Sequence, residues 1–245
     1  MLFRSLPSTD DLNESLGNHF LLFLPRDVVS GDFYFASKVK DWIVVCVADC
    51  TGHGVPGAFM SMLGISLLNE AVHNENISQA NHVLNWMREN IIHSMKQKGM
   101  EGEQKDGMDI AFCAINTKTL QMHFAGANNP CWIVRQNEEN HTEPIFIELK
   151  ADRMPLAIYR KLEPFTNQTF QLQKNDSIYL MSDGFEDQFG GPDGKKFMVK
   201  KLRELIIKNS GLPLDEQKNL LHNELIAWIG DQEQVDDITI LGIKI

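Results

Sequence analysis

The chain of 245 residues has no Cys-x-x-Cys pair; its four cysteines stand at positions 46, 50, 113 and 131. Three of them lie inside apolar runs, where a thiol packs as a small hydrophobe. Neither a disulfide framework nor a zinc site is expected. Long hydrophobic runs are missing too. Ile43 to Ala48 falls far short of the roughly 20 residues a membrane helix requires, and Met1-Leu2-Phe3-Arg4-Ser5-Leu6-Pro7 is interrupted too soon for a signal peptide. Positive charge is scarce, with Lys+Arg 23 against Asp+Glu 33 and a formal net charge of −10. A nucleic-acid binder needs a basic stripe to displace counterions, and an anionic membrane surface makes the same demand. Neither is expected as a partner, and the cytoplasm is the default location. No repeat, low-complexity stretch or Pro/Gly/Ser linker divides the chain, so residues 1–245 read as one domain. A hydrophobic content of 43% is ordinary for a soluble globular protein.

What is present is a run of strands interrupted by helices. Phe20–Leu24, Phe33–Val39 and Ile43–Ala48 read as strands, the last unbroken by polar residues and so suited to burial on both faces. After the glycines at 52, 54 and 57, Ala58 to Val72 reads as a helix, with Phe59, Met62, Leu63, Leu67 and Ala71 near helical spacing. Ser78 is a candidate cap for a second helix whose stripe runs Val83, Leu84, Met87, Ile91, Met95 and which stops at Lys98-Gly99. A polar loop from Gly99 to Gly107 leads into strands at Ile110–Ile115, Gln121–Ala125, Cys131–Val134, Ile145–Leu149 and Ser177–Met181. Lys195–Lys208 and Pro213–Trp228 read as helices, and Ile238–Ile245 closes the chain as a strand. Mostly consecutive strands, with helices early and late, predict an α+β fold: two antiparallel sheets packed on each other, flanked by helices.

Four segments share one grammar, in which an apolar run ends by delivering an Asp next to a turn-forming residue. They are Val29-Ser30-Gly31-Asp32, Val47-Ala48-Asp49-Cys50-Thr51-Gly52-His53-Gly54, Leu180-Met181-Ser182-Asp183-Gly184 and Val235-Asp236-Asp237-Ile238-Thr239. Asp is disfavoured within strands. One such segment needs no more than a turn to explain it; four in series ask for something else. Carboxylates meeting at one sheet end repel, and burying them unpaired costs several kcal/mol each. A divalent cation removes that cost. Oxygen ligands without a recurring His or Cys suit Mg²⁺ or Mn²⁺ better than zinc. Two such ions about 3.5–4 Å apart lower the pKa of a bridging water and clamp a phosphoryl group. Metal-assisted phosphate hydrolysis is the chemistry of this pattern, and the spacing alone does not separate a phosphomonoesterase from a nuclease.

Those same residues carry a resemblance. With Phe33-Tyr34 after the first segment, Gly126-Ala127-Asn128-Asn129-Pro130 and Met154-Pro155-Leu156 following in order, the chain from about Phe20 to Ile245 resembles the bacterial SpoIIE-type branch of the metal-dependent (PPM) serine/threonine protein phosphatases. The resemblance implies a four-layer α/β/β/α sandwich. It implies that Asp49 bridges two metal ions, that the backbone carbonyl of Cys50 ligates one of them, and that Asp32 holds that same ion largely through water. Asp183 and Asp236 would complete the other ion's shell. A metal-bound water would attack phosphorus in line, with no covalent phosphoenzyme. Asp237 is read as a supporting or turn-capping residue.

The match departs from the family in three places. Cys50 stands where the residue after the bridging Asp is commonly Gly, with more backbone freedom. Val28 stands where many eukaryotic members carry a phosphate-binding Arg, and Arg26 is offset from it. Thr51 occupies the place of a candidate general-acid His, while His53 lies two residues on. Its ordinary pKa of about 6.5 suits proton transfer, and a turn histidine between Gly52 and Gly54 is the plainer reading. Asp106 and Asp109 flank a strand start where some members recruit a further ion, and turn formation around Gly107 explains Asp106 equally well. Asn128-Asn129-Pro130 reads as a tight turn. By resemblance the substrate is a phosphoserine or phosphothreonine on a STAS-type anti-anti-sigma protein, and the domain fits the C-terminal end of a longer chain. The helices after Gly57 and Ser78 are candidates for the regulatory element and homodimer surface of relatives. A non-catalytic interaction domain would have lost a matched Asp, and none is missing; a nuclease would need a basic groove.

Overall fold

A computed structural model describes residues 6–74, 79–100, 105–136 and 143–245. In chain order the elements are α1 (Thr9–Leu16), β1 (His19–Leu24), β2 (Phe33–Val39), β3 (Trp42–Cys50), α2 (Gly54–Asn74), α3 (Ala80–Ser94), β4 (Met108–Asn116), β5 (Gln121–Ala127) and β6 (Cys131–Arg135). There follow β7 (Ile145–Leu149), β8 (Gln168–Gln171), β9 (Ser177–Met181), α4 (Gly184–Asp187), β10 (Phe189–Gly190), β11 (Lys195–Lys196), α5 (Val199–Asn209), α6 (Leu214–Ile229) and β12 (Ile238–Lys244). One five-stranded sheet runs β2-β3-β4-β5-β8 and the other β1-β12-β9-β6-β7, every pairing in them antiparallel.

Period-two alternation sorts the side chains into three apolar layers. Along β3, Val44, Cys46 and Ala48 pack with Leu68, Leu84 and Met87 of α2 and α3, whereas Val45 and Val47 meet Ile178, Leu180 and Leu241 of the opposite sheet. Tyr179 and Ile240 of that sheet turn outward to Leu202, Leu221 and Leu225 of α5 and α6. The result is the α+β, α/β/β/α sandwich expected from the strand order, and β3 is covered on both faces. All four cysteines are free and buried.

Several local expectations are corrected. α1 was not foreseen, although Ser8 and Asp11 form a reciprocal capping box; its buried Leu12 and Leu16 join the core between the sheets. α2 begins at Gly54, four residues earlier than the expected start at Ala58, because the glycine turn runs straight into it. Its stretch Gly54–Val72 is long and apolar enough to span a bilayer by length and composition, a feature that counting unbroken apolar runs missed. α3 ends at Ser94, so Met95 caps it and is exposed instead of extending the stripe; Ser78 lies outside the described residues. Lys195–Lys196 is a strand of a short hairpin, and α5 starts only at Val199. The reason is Met198, held at φ 74°, ψ 139°, a region costly for any residue but glycine. Its N–H donates to the Glu186 carbonyl at 2.8 Å, which ties the start of α5 to α4. A Met198→Gly substitution should relieve that strain and raise stability by about 1 kcal/mol, read as a higher urea midpoint at unchanged m-value.

A candidate metal centre

The fold brings the aspartates of all four segments to one end of the sandwich. Asp49 continues the inward row of Val45 and Val47 on β3, and in the ladder it stands directly opposite Asp109 of β4. Two carboxylates opposite each other on one sheet face repel. From the other sheet, β9 ends at Met181 and releases Ser182-Asp183 into the N-terminus of α4, while its neighbour β12 begins just after Asp236-Asp237. Asp32 enters from the loop ahead of β2 and is almost fully buried.

Asp32 is anchored across the sheets: its Oδ2 accepts from Ser182 Oγ at 2.6 Å and from Thr239 Oγ1 at 2.7 Å. Thr239 N–H in turn donates to Ser182 Oγ at 3.0 Å. Burial pushes the Asp32 carboxyl up to about 7, against the pull of those two hydroxyls and with a further push from Asp237 and Asp236. Asp49 is pushed up to about 10, first by burial and then by the charges of Asp32, Asp183, Asp236 and Asp109. Asp109 rises to about 6 through burial, although Asn128 Nδ2 donates to it at 2.9 Å. Asp183, whose outer edge meets solvent, is raised by desolvation and by Asp187 and Asp236, with partial relief from a hydrogen bond to Asp49 and from Lys196. Glu186 behind it is raised to about 7, mainly by burial. Burial first, and the neighbouring charges after it, resist ionisation of each of these carboxyls.

Asp237 has a different task. Its Oδ1 accepts Arg26 N–H and its Oδ2 accepts Gly31 N–H, both at 2.7 Å, so it holds the loop that delivers Asp32, as expected of a supporting residue. Gly31 is pressed against the Gly52 and Cys50 carbonyls, and a Cβ there would run into the Gly52 oxygen. The Cys50 side chain lies in the helix-facing core and burial pushes its thiol well up; its backbone carbonyl is the oxygen left for a ligand. Arg26 spends its guanidinium on the Val235 carbonyl at 2.8 Å. His53 Nδ1 sits 2.8 Å from Asp27 Oδ2, both half exposed. Asp106 lines a small cavity with Thr51, Gly52 and Phe59.

Among the described residues no three carboxylate, imidazole or thiol groups close into a tight cage around a single point. The donor set nevertheless fits hard dications: oxygen ligands only, partly open, and short of positive charge, as in sites where water fills much of the shell. Sequence reasoning missed the roles of Ser182, Thr239, Asn128 and Asp27. The first three lie inside the quoted segments, so their presence was visible but their partners were not. Asn128 sits at φ 56°, in the expected tight turn, and that geometry turns its amide toward Asp109. Buried Arg88 was also missed; it interrupts the apolar stripe of α3, donates to the Glu163 carbonyl at 2.8 Å and stacks on Phe165.

The raised carboxyls carry a pH signature. The metal-free fold binds these protons more tightly than the unfolded chain does, so their contribution favours folding most below the unfolded value near 4. It is lost as pH rises through about 6 for Asp109 and about 7 for Asp32. In chelator, the Tm should fall by several degrees between pH 5 and pH 8. Asp32→Asn should flatten that fall, and Mn²⁺ should reverse it. Scanning calorimetry at both pH values checks all three.

The profile of the family "Stage II sporulation protein E (SpoIIE)" matches residues 40–245, whereas no curated protein sequence matches the chain. Among solved structures, the SiaA-PP2C domain of Pseudomonas aeruginosa superposes with a TM-score of 0.87 at 29% identity, covering 100% of this chain and 92% of that one. The PP2C phosphatase domain of SpoIIE from Bacillus subtilis, solved with a fragment of its regulatory domain, gives 0.70 at 18% identity over 93% of this chain and 61% of that one. The RsbU and RsbW domains of a Mycobacterium tuberculosis protein give 0.67 at 17%, over 94% and 60%. The fold is shared across all three, and the profile spans most of the chain, from the start of β3 to its last residue. The chain belongs to the SpoIIE family of PP2C-type phosphatase domains.

Proposed function

We propose that the domain hydrolyses phosphoserine or phosphothreonine on a protein, using two divalent cations, Mg²⁺ or Mn²⁺. The observation that carries this reading is the crowding of Asp32, Asp49, Asp109, Asp183 and Asp236 at one end of the sandwich, where Lys196 gives only partial relief, at Asp183. In this reading Asp49 is shared between the ions, Asp183 and Asp236 complete one shell, and the Cys50 carbonyl and Asp32 serve the other. Bound there, the ions would supply a water acidic enough to attack phosphorus and would offset the phosphoryl charge. Ser182 and Thr239 keep Asp32 aimed; Asp237 and Gly31 keep its loop in place. His53, steadied by Asp27 through Nδ1, has Nε2 left to hand a proton to the departing serine oxygen.

The substrate we infer is a phosphorylated STAS-type anti-anti-sigma protein in a partner-switching pathway, a reading supported by kinship with domains of SpoIIE and RsbU. It goes with a cytoplasmic setting and with a single domain carried on a longer protein. Exposed Val55, Phe59 and Met62 on α2 support a second copy of the chain as a further partner.

Purified protein with Mn²⁺ should hydrolyse p-nitrophenyl phosphate, and Asp49→Asn or Asp183→Asn should lower the rate at least about a hundredfold with the circular dichroism unchanged. Full activity in excess chelator would remove the metals from the reaction. Ser182→Ala and Thr239→Val act through Asp32, so each should raise the Mn²⁺ concentration needed for half activity about tenfold or more. His53→Gln should slow a phosphoserine peptide more than p-nitrophenyl phosphate, whose leaving group needs no proton; equal loss on both would release His53 from the role.

A further inference from the structure

Away from the aspartates, the β10–β11 hairpin, the start of α5 and the end of α6 enclose an open groove of about 750 Å³. Its apolar surface comes from Phe189, Met198 and Trp228, and its rim from Lys195, Lys196 and Lys201. Phe189 and Met198 are 40% and 56% exposed and both line the groove. The groove is built, since Gly190 and Gly191 lie so close to Trp228 that a side chain at either would strike it. Trp228 is locked from behind by a hydrogen bond from its Nε1 to the Gln188 carbonyl at 3.1 Å and by the edge-on ring of Phe197 at 5.2 Å.

The charge here runs against the rest of the molecule. Five cations fall within the nine residues Lys195–Arg203, in a chain of net charge −10. Lys201 Nζ stands 3.8 Å from the centre of the Trp228 ring, and among the described residues no carboxylate pairs with it. Lys195 pairs with Asp193 at 3.2 Å, both well exposed, an ion pair of the kind that exchanges partners at little cost. Lys196 pairs with Asp187 at 2.6 Å. Salt screens the distant negative charge beyond roughly 8 Å; Asp193 also lines the groove, so an approaching group there meets three lysines against one carboxylate in the lining.

The groove is also joined to the aspartate cluster. α4 is a single turn between Asp183 at its start and Asp187, the partner of Lys196. Gln188 is fully buried; its Nε2 donates to the Glu233 carbonyl at 3.0 Å and its Oε1 accepts Val235 N–H at 3.0 Å, next to Asp236. One rigid connection therefore supports both the groove floor and two of the candidate ligands.

We propose that this groove seats an acidic segment of the phosphoprotein substrate, one apolar side chain entering beside Trp228 and Met198 while its carboxylates meet Lys195, Lys196 and Lys201. The assignment rests on the phosphatase reading for the identity of the occupant and on charge complementarity for its chemistry. Docked there, a segment places the residues next to it one helical turn from Asp183. The groove thus supplies the short-range capture that the overall negative field of the chain withholds.

The test uses labelled phosphoserine peptides with acidic, neutral or basic flanks around one Leu. Binding is followed by fluorescence anisotropy in chelator, and turnover is followed with Mn²⁺. The acidic peptide should bind most tightly. The double variant Lys195→Glu/Lys201→Glu should weaken it about tenfold in Kd and KM, with kcat/KM for p-nitrophenyl phosphate unchanged, and Lys195→Arg/Lys201→Arg should retain wild-type affinity. An unchanged Kd for the acidic peptide in the Glu variant would overturn the proposal, as would equal losses on the neutral peptide. Tighter binding of a single-stranded oligonucleotide of matched charge would overturn it in favour of a nucleic-acid ligand. Absence of any phosphate release would count against the phosphatase reading alone, because the anisotropy series decides the groove without turnover.

Discussion

Asp49 and Asp109 face each other across an antiparallel ladder while Asp32, Asp183 and Asp236 approach from neighbouring segments, with only partial relief from Lys196 at Asp183. Burial of these carboxyls, sharpened by their mutual repulsion, is the constraint to which the surrounding structure answers. Protons relieve it in the metal-free fold, as the upward displacement of Asp49, Asp32 and Asp109 records. A pair of dications would relieve it better, because protonation removes the charge that a metal centre uses. The arrangement opposes its own stability, and such opposition marks functional sites more often than structural ones.

The sandwich makes that opposition sustainable. Three apolar layers, one between the sheets and one under each pair of helices, hold β3, β4, β9 and β12 in register, so their ends cannot drift apart to relax the carboxylates. Hydrogen bonds then fix the individual oxygens. Ser182 and Thr239 come from the ends of one sheet's strands and Asp32 from the loop leading into the other, so their contacts fasten the two sheets within the aspartate cluster. Asp237 is spent wholly on backbone amides, which separates it in function from Asp236, its neighbour in sequence.

Charge is divided by region. The carboxylates collect at the sheet ends, and a lysine-rich hairpin with an aromatic floor sits one helical turn away. On the proposed reading a phosphoprotein would present its phosphate to cations held by the first region and its local sequence to the apolar surface ringed by ammonium groups in the second. Lys196 belongs to both, since it pairs with Asp187 and partly offsets the charge around Asp183.

Much of this was written in local sequence. Unbroken or alternating apolar runs marked β2, β7 and β9 to the residue, and Asp-bearing turns after apolar runs marked the end where the aspartates gather, because strand periodicity and turn chemistry act over a few neighbouring positions. The chain itself therefore determined two antiparallel sheets, flanking helices and four of the crowded aspartates, Asp32, Asp49, Asp183 and Asp236; the ladder that sets Asp109 opposite Asp49 adds the fifth. It did not determine that Lys195–Lys196 would leave a helix for a hairpin; the contact between Met198 N–H and the Glu186 carbonyl decides that. Nor did it show that Asp32 would be held by hydroxyls 150 and 207 positions away, or that Asn128 would serve Asp109. Those assignments belong to the tertiary structure alone, since a hydrogen bond depends on where two atoms meet in space, and only packing the sheets against each other brings these atoms within reach.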